Sequence, residues 1–309
     1  MSKFTFLPGR WRRGGEAARH AEAIRDILDT PPIVPASDGL VLFAEIGTAE
    51  LLPTLVAVKS LHAQLKRGRV VLLDDGTLTG EDRALLAHHC GDPELIAAAG
   101  DEGSAGFLSG KGWKAFCTVL ARRQSEYWLW LGSDSVTIAA VPEVERAIAL
   151  NASCMLPGPG KAEEPQGLGE FVRAHYPAGP ADGDAATRIE SRLAKVARSD
   201  WRYLRGSAGL LGFGAGGPGL RFAASACHVL ESLVGASTMR DPGAVQIAAN
   251  LHLASEKRTV LLPRARYRHD GREAWDEGAA FFRFAEPDRY ADGTYASISR
   301  VAIEGLLAR

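Results

Sequence analysis

The sequence lacks the features that mark a secreted, membrane-spanning or nucleic-acid-binding protein. Only four of its 309 residues are cysteines, and no two have the two-residue spacing of a zinc or redox motif. No apolar run approaches the ~18 residues of a membrane-spanning helix, and no apolar secretory leader is evident at the N-terminus. The formal net charge of −1 gives nucleic acid no overall electrostatic attraction. We therefore expect a reducing, cytoplasmic location, no nucleic-acid partner and at most a peripheral membrane contact.

Two common catalytic motifs are also missing, while a third is present in part. The sequence has neither a G-x-S-x-G nucleophile turn nor a P-loop. GFGAGG, at residues 212–217, fits the dinucleotide pattern G-x-G-x-x-G and lies between an apolar run and a predicted helix. That pattern also needs a second strand ending in an acidic residue about 20 positions later, where this sequence predicts a loop and a helix start. A nicotinamide-dependent oxidoreductase therefore stays open as an alternative function.

Short apolar segments alternate with amphipathic ones from Leu40 onwards. LVLFAE, RVVLLDDG and YWLWL predict buried strands, and PELIAAA predicts a weaker one. Between them, apolar residues recur at helical spacing, as in AELLPTLVAVKSLHAQL and KGWKAFCTVLARR. This alternation predicts an α/β fold in which helices cover both faces of a mostly parallel sheet.

Two segments depart from the alternation. Residues 1–37 are rich in arginine and mildly amphipathic, and we expect an N-terminal appendage with a solvated helix; contact with a membrane surface or a partner is the alternative. Residues 157–200 are rich in proline, glycine and acidic residues, which predicts a surface insertion around a short helix. We expect the remainder of residues 38–309 to form one domain.

Polar residues follow three of the predicted strands, at residues 45–48, 74–76 and 132–135. Ligands of open α/β sheets bind beyond the carboxyl ends of the strands, so these segments predict a binding site. Asp134 interrupts an apolar run there, either to cap a turn or to bind Mg²⁺ or Mn²⁺ through its carboxylate. Asp74 and Asp75 either form a turn or accept a hydrogen bond from a nucleoside hydroxyl.

His269 differs from the other histidines in its predicted location. Most of the eight histidines lie within predicted helices, where they pack or face water. His269 instead ends a predicted strand and enters the loop HDGREAW, which contains Gly271 and Trp275. That place in the sequence makes it a candidate functional residue.

Taken in order, these segments resemble the GT-A-fold nucleotide-diphospho-sugar glycosyltransferases, in particular the glycogenin-like and lipopolysaccharide galactosyl/glucosyl transferase group. The resemblance implies a GT-A-like domain with a Rossmann-like nucleotide half. It covers most of residues 40–275. Five stretches carry it: LVLFAEIGTAELLPTLVAVKSL, VVLLDDGTLTGEDRALL, YWLWLGSDSVTIAAVPEV, SAGLLGF with PGAVQIAANL, and LLPRARYRHDGREAW.

The resemblance implies a metal site at Asp134 and His269. In that family an Asp-x-Asp motif and a late histidine hold Mn²⁺ or Mg²⁺, which binds the diphosphate of the donor. The aligned triplet here is GSD, so Asp134 matches the second carboxylate while Gly132 stands at the first. Gly132 leaves three alternatives: a weakly held metal, metal-independent donor binding, or loss of catalysis.

The remaining site residues are also implied by the resemblance. The family's Asn-Ser-Gly turn beside the sugar is matched in part by residues 207–209, SAG. The family also has an Asp-Gln pair before a helix. Here Gln246 matches the glutamine, and Val245 stands in place of the aspartate. Asp134 and Gln246 are the implied catalytic residues. The implied donor-binding residues are Ala44, Glu45, Gly47, Asp74, Asp75, Ser133, Gly209, Gly271 and Trp275.

The implied activity is transfer of a hexose from a nucleotide-diphosphate sugar to a glycan or lipid-linked acceptor. A cation and fixed donors would stabilise the charge that develops on the leaving diphosphate. The alternative from another class is a non-catalytic protein of the same fold that binds a nucleotide sugar or a partner. Donor base, sugar, acceptor, stereochemical outcome and oligomeric state stay open.

Overall fold

The computed structural model describes residues 9–97, 112–159, 164–271, 277–285 and 288–309. Within these ranges the strands are β1 Leu40–Ile46, β2 Arg69–Asp74, β3 Glu94–Ala97, β4 Tyr127–Leu131, β5 Ser135–Thr137, β6 Ser153–Pro157, β7 Gln166–Gly167, β8 Arg202–Tyr203, β9 Gly206–Phe213, β10 Thr259–Leu261, β11 Tyr267–Arg268 and β12 Phe281–Arg283. The α-helices are α1 Gly9–Ala23, α2 Leu51–Leu65, α3 Gly80–Cys90, α4 Trp113–Arg122, α5 Pro142–Ala149, α6 Leu168–His175, α7 Ala185–Glu190, α8 Leu220–Val234, α9 Ala236–Met239, α10 Pro242–Ala254 and α11 Thr294–Leu307.

A central sheet of seven strands has the order β10-β6-β9-β4-β1-β2-β3. All its neighbouring strands are parallel except β9, which runs antiparallel between β4 and β6. The predicted mostly parallel sheet is therefore confirmed. Since β9 is reversed, its first residues meet the carboxyl ends of the other strands at one edge. A smaller sheet, β11-β12-β5, lies beside that edge because β5 follows shortly after β4.

Helices pack on both faces of the sheet, which explains the unbroken apolar runs in the central strands. Along β1, Val41 and Phe43 belong to one buried apolar cluster, whereas Leu42 and Ala44 belong to the other. The first cluster also contains residues of α4, α8 and α10, and the second contains residues of α2, α5 and α11. A strand that is buried on both faces cannot alternate apolar and polar residues.

A capping box begins α3, and its hydrogen bonds extend to the neighbouring loop. Thr79 accepts a hydrogen bond from the Asp82 backbone N–H, and the Asp82 carboxylate accepts one from the Thr79 N–H. Asp82 Oδ2 also accepts a hydrogen bond of 2.7 Å from the Thr48 hydroxyl. These bonds fix the loop after β1 against the start of α3, at the carboxyl edge of the sheet.

The segment from residue 164 to 200 contains two helices, where the sequence predicts one. Phe171 of α6 and Ile189 of α7 are fully buried in the apolar cluster that also contains residues of α4, α8 and α10. The buried Glu190 carboxylate accepts hydrogen bonds of 2.7 Å from the hydroxyls of Tyr176 and Tyr203. This segment is thus packed on the sheet, while its status as an insertion stays a prediction.

Part of the described chain before β1 is also packed on the domain rather than fully solvated. Ile24 and Ile27 are buried in the core cluster of α2 and α11. The His20 ring of α1 stacks on Tyr295 of α11, with 4.1 Å between the ring centroids. The domain boundary after residue 37 stays a prediction. In the described part of the chain, none of the helices combines the length and the apolar composition needed to cross a membrane.

The buried His20 predicts a loss of stability in mild acid. Burial, with the nearby Arg289 charge, lowers the pKa of His20 to about 4. The unfolded chain therefore binds a proton that the folded chain does not as the pH falls from about 6.5 towards 4, and up to ~3 kcal/mol of unfolding free energy is lost. His20→Phe keeps the ring stack without the proton, so its urea midpoint should depend less on pH between 7 and 4.5.

Substitution of an exposed histidine is the control for this prediction. His228 lies exposed on α8, and His228→Phe should keep the pH dependence of the wild-type protein. Equal pH dependence of the midpoint in His20→Phe and wild type would contradict the assignment.

Candidate active site

A cleft of about 390 Å³ opens at the carboxyl edge of the sheet. It lies between the ends of β1, β2 and β4, the start of β9, and α10. Its described lining residues are Glu45, Ile46, Gly47, Glu50, Asp75, Gly112, Trp130, Leu131, Gly132, Ser133, Asp134, Ala208, Leu211, Pro242, Val245, Gln246, Ala249, Arg283 and Arg289.

At the end of β2 only the second of the two predicted aspartates faces the cleft. Asp75 lines it and accepts hydrogen bonds from the backbone N–H and the hydroxyl of Thr77, at 3.0 and 2.6 Å. Its carboxylate packs on the bare backbone of Gly47, where a Cβ would collide with it. Asp74 is buried instead, with its carboxylate bound to the Gly76 N–H and ion-paired with Arg83.

Glu45 and Ala44, at the end of β1, have different surroundings. Glu45 lines the cleft, and its Oε1 accepts a hydrogen bond of 3.2 Å from the Gly112 N–H. Ala44 is buried in the core cluster and is not among the described lining residues. Only Glu45 therefore presents a side chain to a ligand.

Asp134 lines the cleft beyond β4 and forms an ion pair with an arginine that the sequence-based prediction did not include. Asp134 Oδ2 lies 3.1 Å from Nε of Arg283, the last residue of β12. Nη1 of Arg283 donates a second hydrogen bond, of 2.5 Å, to the Ser207 hydroxyl. The two side chains are 14% and 22% exposed, so the pair is largely shielded from water.

Two glycines leave the space in which this ion pair lies. A Cβ at Gly132 would collide with Asp134 Oδ1, and a Cβ at Gly209 would lie 2.6 Å from Arg283 Cδ. The two backbones are joined by a hydrogen bond of 3.1 Å from the Gly132 N–H to the Gly209 carbonyl. The carboxylate and the arginine stem thus pack on adjacent bare backbone.

A second arginine, Arg289, lines the cleft from the chain before α11, beside the loop after β1. Arg289 donates a hydrogen bond of 2.7 Å to Glu50 Oε1, and its guanidinium lies over the Tyr290 ring at 4.6 Å. Ser133 donates to the other oxygen of Glu50 at 3.0 Å. Ser133, predicted as a donor-binding residue, is thus linked to Arg289 through Glu50.

Gln246 faces the cleft from the second turn of α10. Its Nε2 donates a hydrogen bond of 2.7 Å to Asn250 Oδ1. The Asn250 Nδ2 donates to the carbonyl of Gly206 and to the hydroxyl of Tyr203, both at 3.3 Å. The amide nitrogen of Gln246 therefore points to Asn250. The amide oxygen is left to face the cleft.

The predicted residues near the end of β11 follow a strand that pairs with β12, whose last residue is Arg283. His269 is not among the described lining residues. Gly271 donates its N–H to the Arg283 carbonyl at 2.6 Å, and its backbone packs on the Phe284 ring. Trp275 lies outside the described residues. Among the residues that are described, none of the groups of His, Cys, Asp and Glu side chains has the three members needed to hold a metal.

Sequence reasoning missed Arg283, Arg289 and Glu50. For Arg283 a signal existed, since it is a lone charge in the apolar run AAFFRF, just as Asp134 is a lone charge after YWLWL. Glu50 and Arg289 lie in polar loops, where nothing in the local sequence separates them from ordinary surface residues.

The surroundings of the glycine motif at residues 212–217 do not support a dinucleotide site. It begins with the last two residues of β9, the one antiparallel strand of the seven-stranded sheet, so it lies at the edge away from the cleft. Its glycines serve close packing: a Cβ at Gly214 would meet the Asn151 carbonyl at 2.8 Å. The oxidoreductase alternative is therefore not supported.

Comparison with known proteins identifies the fold. None of the protein-family models searched matches the chain. No curated protein matches it either. An active-site mutant of LgtC, in which a glutamine is replaced by glutamate, superposes with a TM-score of 0.51 and 14% identity, over 85% of this chain and 95% of that one. The chain has the GT-A fold. The predicted GT-A-like α/β architecture is confirmed.

A second LgtC structure is described as a galactosyltransferase in complex with donor and acceptor sugar analogues. It matches with a TM-score of 0.49 and 13% identity, over 87% of this chain and 96% of that one. At these identities the GT-A likeness concerns the fold alone.

Proposed function

We propose that this GT-A chain transfers a sugar from a nucleotide-diphosphate sugar to an acceptor, and that the cleft is its donor site. One observation carries the proposal. Asp75, Asp134 and Gln246 are far apart in sequence, and all three line a single cleft at the carboxyl ends of the strands. Such an edge is where open α/β sheets bind nucleotides.

The side chains of the cleft suit the three parts of such a donor. Glu45 and Asp75, beyond β1 and β2, offer carboxylate oxygens to the hydroxyls of a nucleoside. Arg283 beside Asp134 offers charged N–H donors to phosphate oxygens. Gln246 offers an amide oxygen to the sugar. The LgtC mutant that superposes on this chain carries its substitution at an active-site glutamine, which supports this role.

The residues present do not fit the divalent cation that the resemblance implies. Mg²⁺ and Mn²⁺ need several oxygen ligands, and charged ones above all. Asp134 is the one carboxylate at the expected position, and it is already paired with Arg283. We therefore derive no step through a metal, and a cation held by Asp134 with His269 stays a prediction.

The chain's own residues account for a transfer step in outline. As the bond from the anomeric carbon to the diphosphate breaks, the acceptor hydroxyl oxygen bonds to that carbon and the hydroxyl proton leaves with the nucleoside diphosphate. Negative charge grows on the phosphate oxygens, where Arg283 stabilises it. Positive charge grows at the sugar's anomeric centre, as in an oxocarbenium-like transition state. The Gln246 oxygen stabilises that charge.

The four cysteines are free thiols, which supports our proposal of a reducing, cytoplasmic location for the reaction.

A nucleotide-sugar-binding protein without transfer activity is the second candidate. The observation that favours it is the same ion pair, because Arg283 neutralises the carboxylate of Asp134. A hexose as the sugar belongs to the proposal in either case, and a glycan or lipid-linked glycan as the acceptor belongs to the transferase.

A ligand screen followed by a turnover assay tests the proposal. Thermal unfolding is measured with UDP-, GDP-, ADP-, CDP- and dTDP-hexoses, with and without Mn²⁺. A ligand at 100 times its Kd adds about 2.7 kcal/mol to the unfolding free energy, which is a readily measured shift in Tm. Asp75→Ala should weaken that shift, whereas Asp200→Ala, at an exposed site far from the cleft, should not.

Release of nucleoside diphosphate from the stabilising donor is then measured, with and without candidate acceptors. Release above the buffer rate supports a transferase. Stabilisation without release, for every acceptor, identifies the binding protein. If none of the nucleotide sugars shifts the Tm, with or without metal, the cleft is not a donor site.

A further inference from the structure

The side chain that faces Asp134 in the cleft is a cation of the protein itself. Arg283 Nε lies 3.1 Å from Asp134 Oδ2, in a position that a bound cation would need to share. The charges of the pair cancel. A divalent cation at Asp134 would have to displace the guanidinium and would then have one carboxylate to bind it. Neither step favours a metal at this position.

Arg283 is held firmly enough to serve as a fixed binding group. Its Nη1 donates to the Ser207 hydroxyl, and its aliphatic stem packs on the Gly209 backbone, with no room for a Cβ between them. A guanidinium carries five N–H donors, of which the hydrogen bonds to Asp134 and Ser207 use two. Nη2 has no hydrogen-bond partner among the described residues, and the side chain lines the cleft at 22% exposure.

A second guanidinium lines the same cleft at a similarly fixed position. Arg289 is ion-paired with Glu50 at 2.7 Å and stacked on the Tyr290 ring. Its side chain is only 9% exposed, so water screens its charge less than that of a surface arginine. Arginine recognises phosphate through two parallel hydrogen bonds, which a compact cation cannot donate.

We propose that Arg283, supported by Arg289, binds the diphosphate of the donor in place of a divalent cation, so this cleft takes a nucleoside diphosphate without metal. This inference rests on the proposed function, because it assigns the ligand group of the same cleft. Asp134 then acts as a positioning residue, which orients Arg283 and does not ligate a metal.

Binding of UDP, GDP, ADP and inorganic pyrophosphate, measured by calorimetry in EDTA and in Mn²⁺, tests the assignment. At least one of these ligands should bind equally well in both buffers. Arg283→Gln should weaken that binding roughly 10- to 100-fold, the loss expected for charge-assisted hydrogen bonds. Arg283→Lys keeps the positive charge but cannot donate two parallel hydrogen bonds, so it should lose less affinity than Arg283→Gln. Arg122→Gln, at a surface ion pair with Glu94, is the matched control and should bind as wild type.

Asp134→Asn separates the two roles of the carboxylate. Its amide oxygen can still accept from Arg283 Nε while the negative charge is gone, so metal-free binding should be retained or tightened. If Asp134 instead binds a metal, the same variant should lose at least roughly 10-fold in affinity. Thermal unfolding of each variant shows that a loss of binding is not a loss of the fold.

Two results would overturn the proposal in distinguishable ways. Binding that requires Mn²⁺, and that Asp134→Asn abolishes, would overturn the arginine assignment and leave the transferase proposal standing. Failure of pyrophosphate and of every nucleoside diphosphate to bind in either buffer would overturn both.

Discussion

Replacing Arg123 by methionine should lower the free energy of unfolding by about 3–5 kcal/mol, the usual cost of breaking a buried ion pair. The same change at its neighbour Arg122 should cost less than about 1 kcal/mol, as for exposed ion pairs. Arg123 is fully buried, whereas the side chain of Arg122 is 41% exposed and pairs with Glu94 at the surface. Two adjacent arginines at the end of α4 thus differ in stability contribution because one ion pair is buried and the other is exposed.

The buried site around Arg123 explains the size of the effect. Its guanidinium lies 2.7 Å from Glu256 Oε1, and Nη2 lies 2.9 Å from Nε2 of His252. Burial alone would raise the pKa of Glu256, but its polar neighbours, His252, the charged Arg123 and the Ser153 hydroxyl, hold that pKa below its usual range. Removing Arg123 would leave a buried carboxylate without its strongest partner.

Urea unfolding of Arg123→Met and Arg122→Met measures the difference. A loss of about 3–5 kcal/mol is a large share of the roughly 5–15 kcal/mol that usually stabilises a domain. The double variant Arg123→Met/Glu256→Met removes both charges and should recover part of the loss, because paired apolar replacements are often neutral. Equal midpoints for the two single variants would contradict the assignment.

The same site shows why the glycine motif suggested a dinucleotide. The carbonyls of Gly214 and Pro218 accept hydrogen bonds from Arg123, and a Cβ at Gly217 would lie 2.6 Å from its Nη2. The glycines let the turn after β9 close over a buried guanidinium. The local pattern predicts a tight turn correctly. However, the group that the turn binds is the Arg123 side chain, 91 positions before Gly214. No local pattern reveals a contact between residues so far apart in sequence.

Much of the fold could be predicted because it follows from local periodicity. Strands buried on both faces give unbroken apolar runs such as LVLFA, and the strand-end rule then places Asp75 and Asp134 at one edge. The burial of α6 and α7 was not predictable, because proline and glycine around them hide the few apolar residues that pack.

The electrostatics of the cleft could not be predicted for a different reason. Asp134 and Arg283 are 149 positions apart, and they meet because β12 pairs with β5 in the small sheet. That sheet has strands of two or three residues, too short for a periodic signal. A motif read at Asp134 alone therefore suggests a metal, whereas the folded chain places an arginine there.

Replacing Gln246 by alanine should lower the turnover number at least roughly 100-fold, the usual cost of losing one preorganised polar group at a transition state. Affinity for the nucleoside diphosphate should change little, since the proposed binding mode has the amide face the sugar. The substrate in this assay is the nucleotide sugar that the ligand screen identifies. The turnover number and the dissociation constant of the nucleoside diphosphate are measured in separate experiments. The exposed Gln124 supplies the matched control, and Gln124→Ala should behave as wild type.

The orientation of the Gln246 amide is imposed by buried groups behind it, which makes the prediction specific. The Gly206 carbonyl can only accept a hydrogen bond, so Asn250 must direct its nitrogen there and its oxygen towards Gln246. Gln246 then directs its own nitrogen to Asn250 and its oxygen into the cleft. Asn250→Ala removes this constraint without touching the ligand, so the turnover number should fall roughly 10-fold at unchanged nucleotide affinity. A variant of either residue that weakens nucleotide binding and leaves the turnover number intact would show that Gln246 binds the ground state, and would remove it from the chemical step.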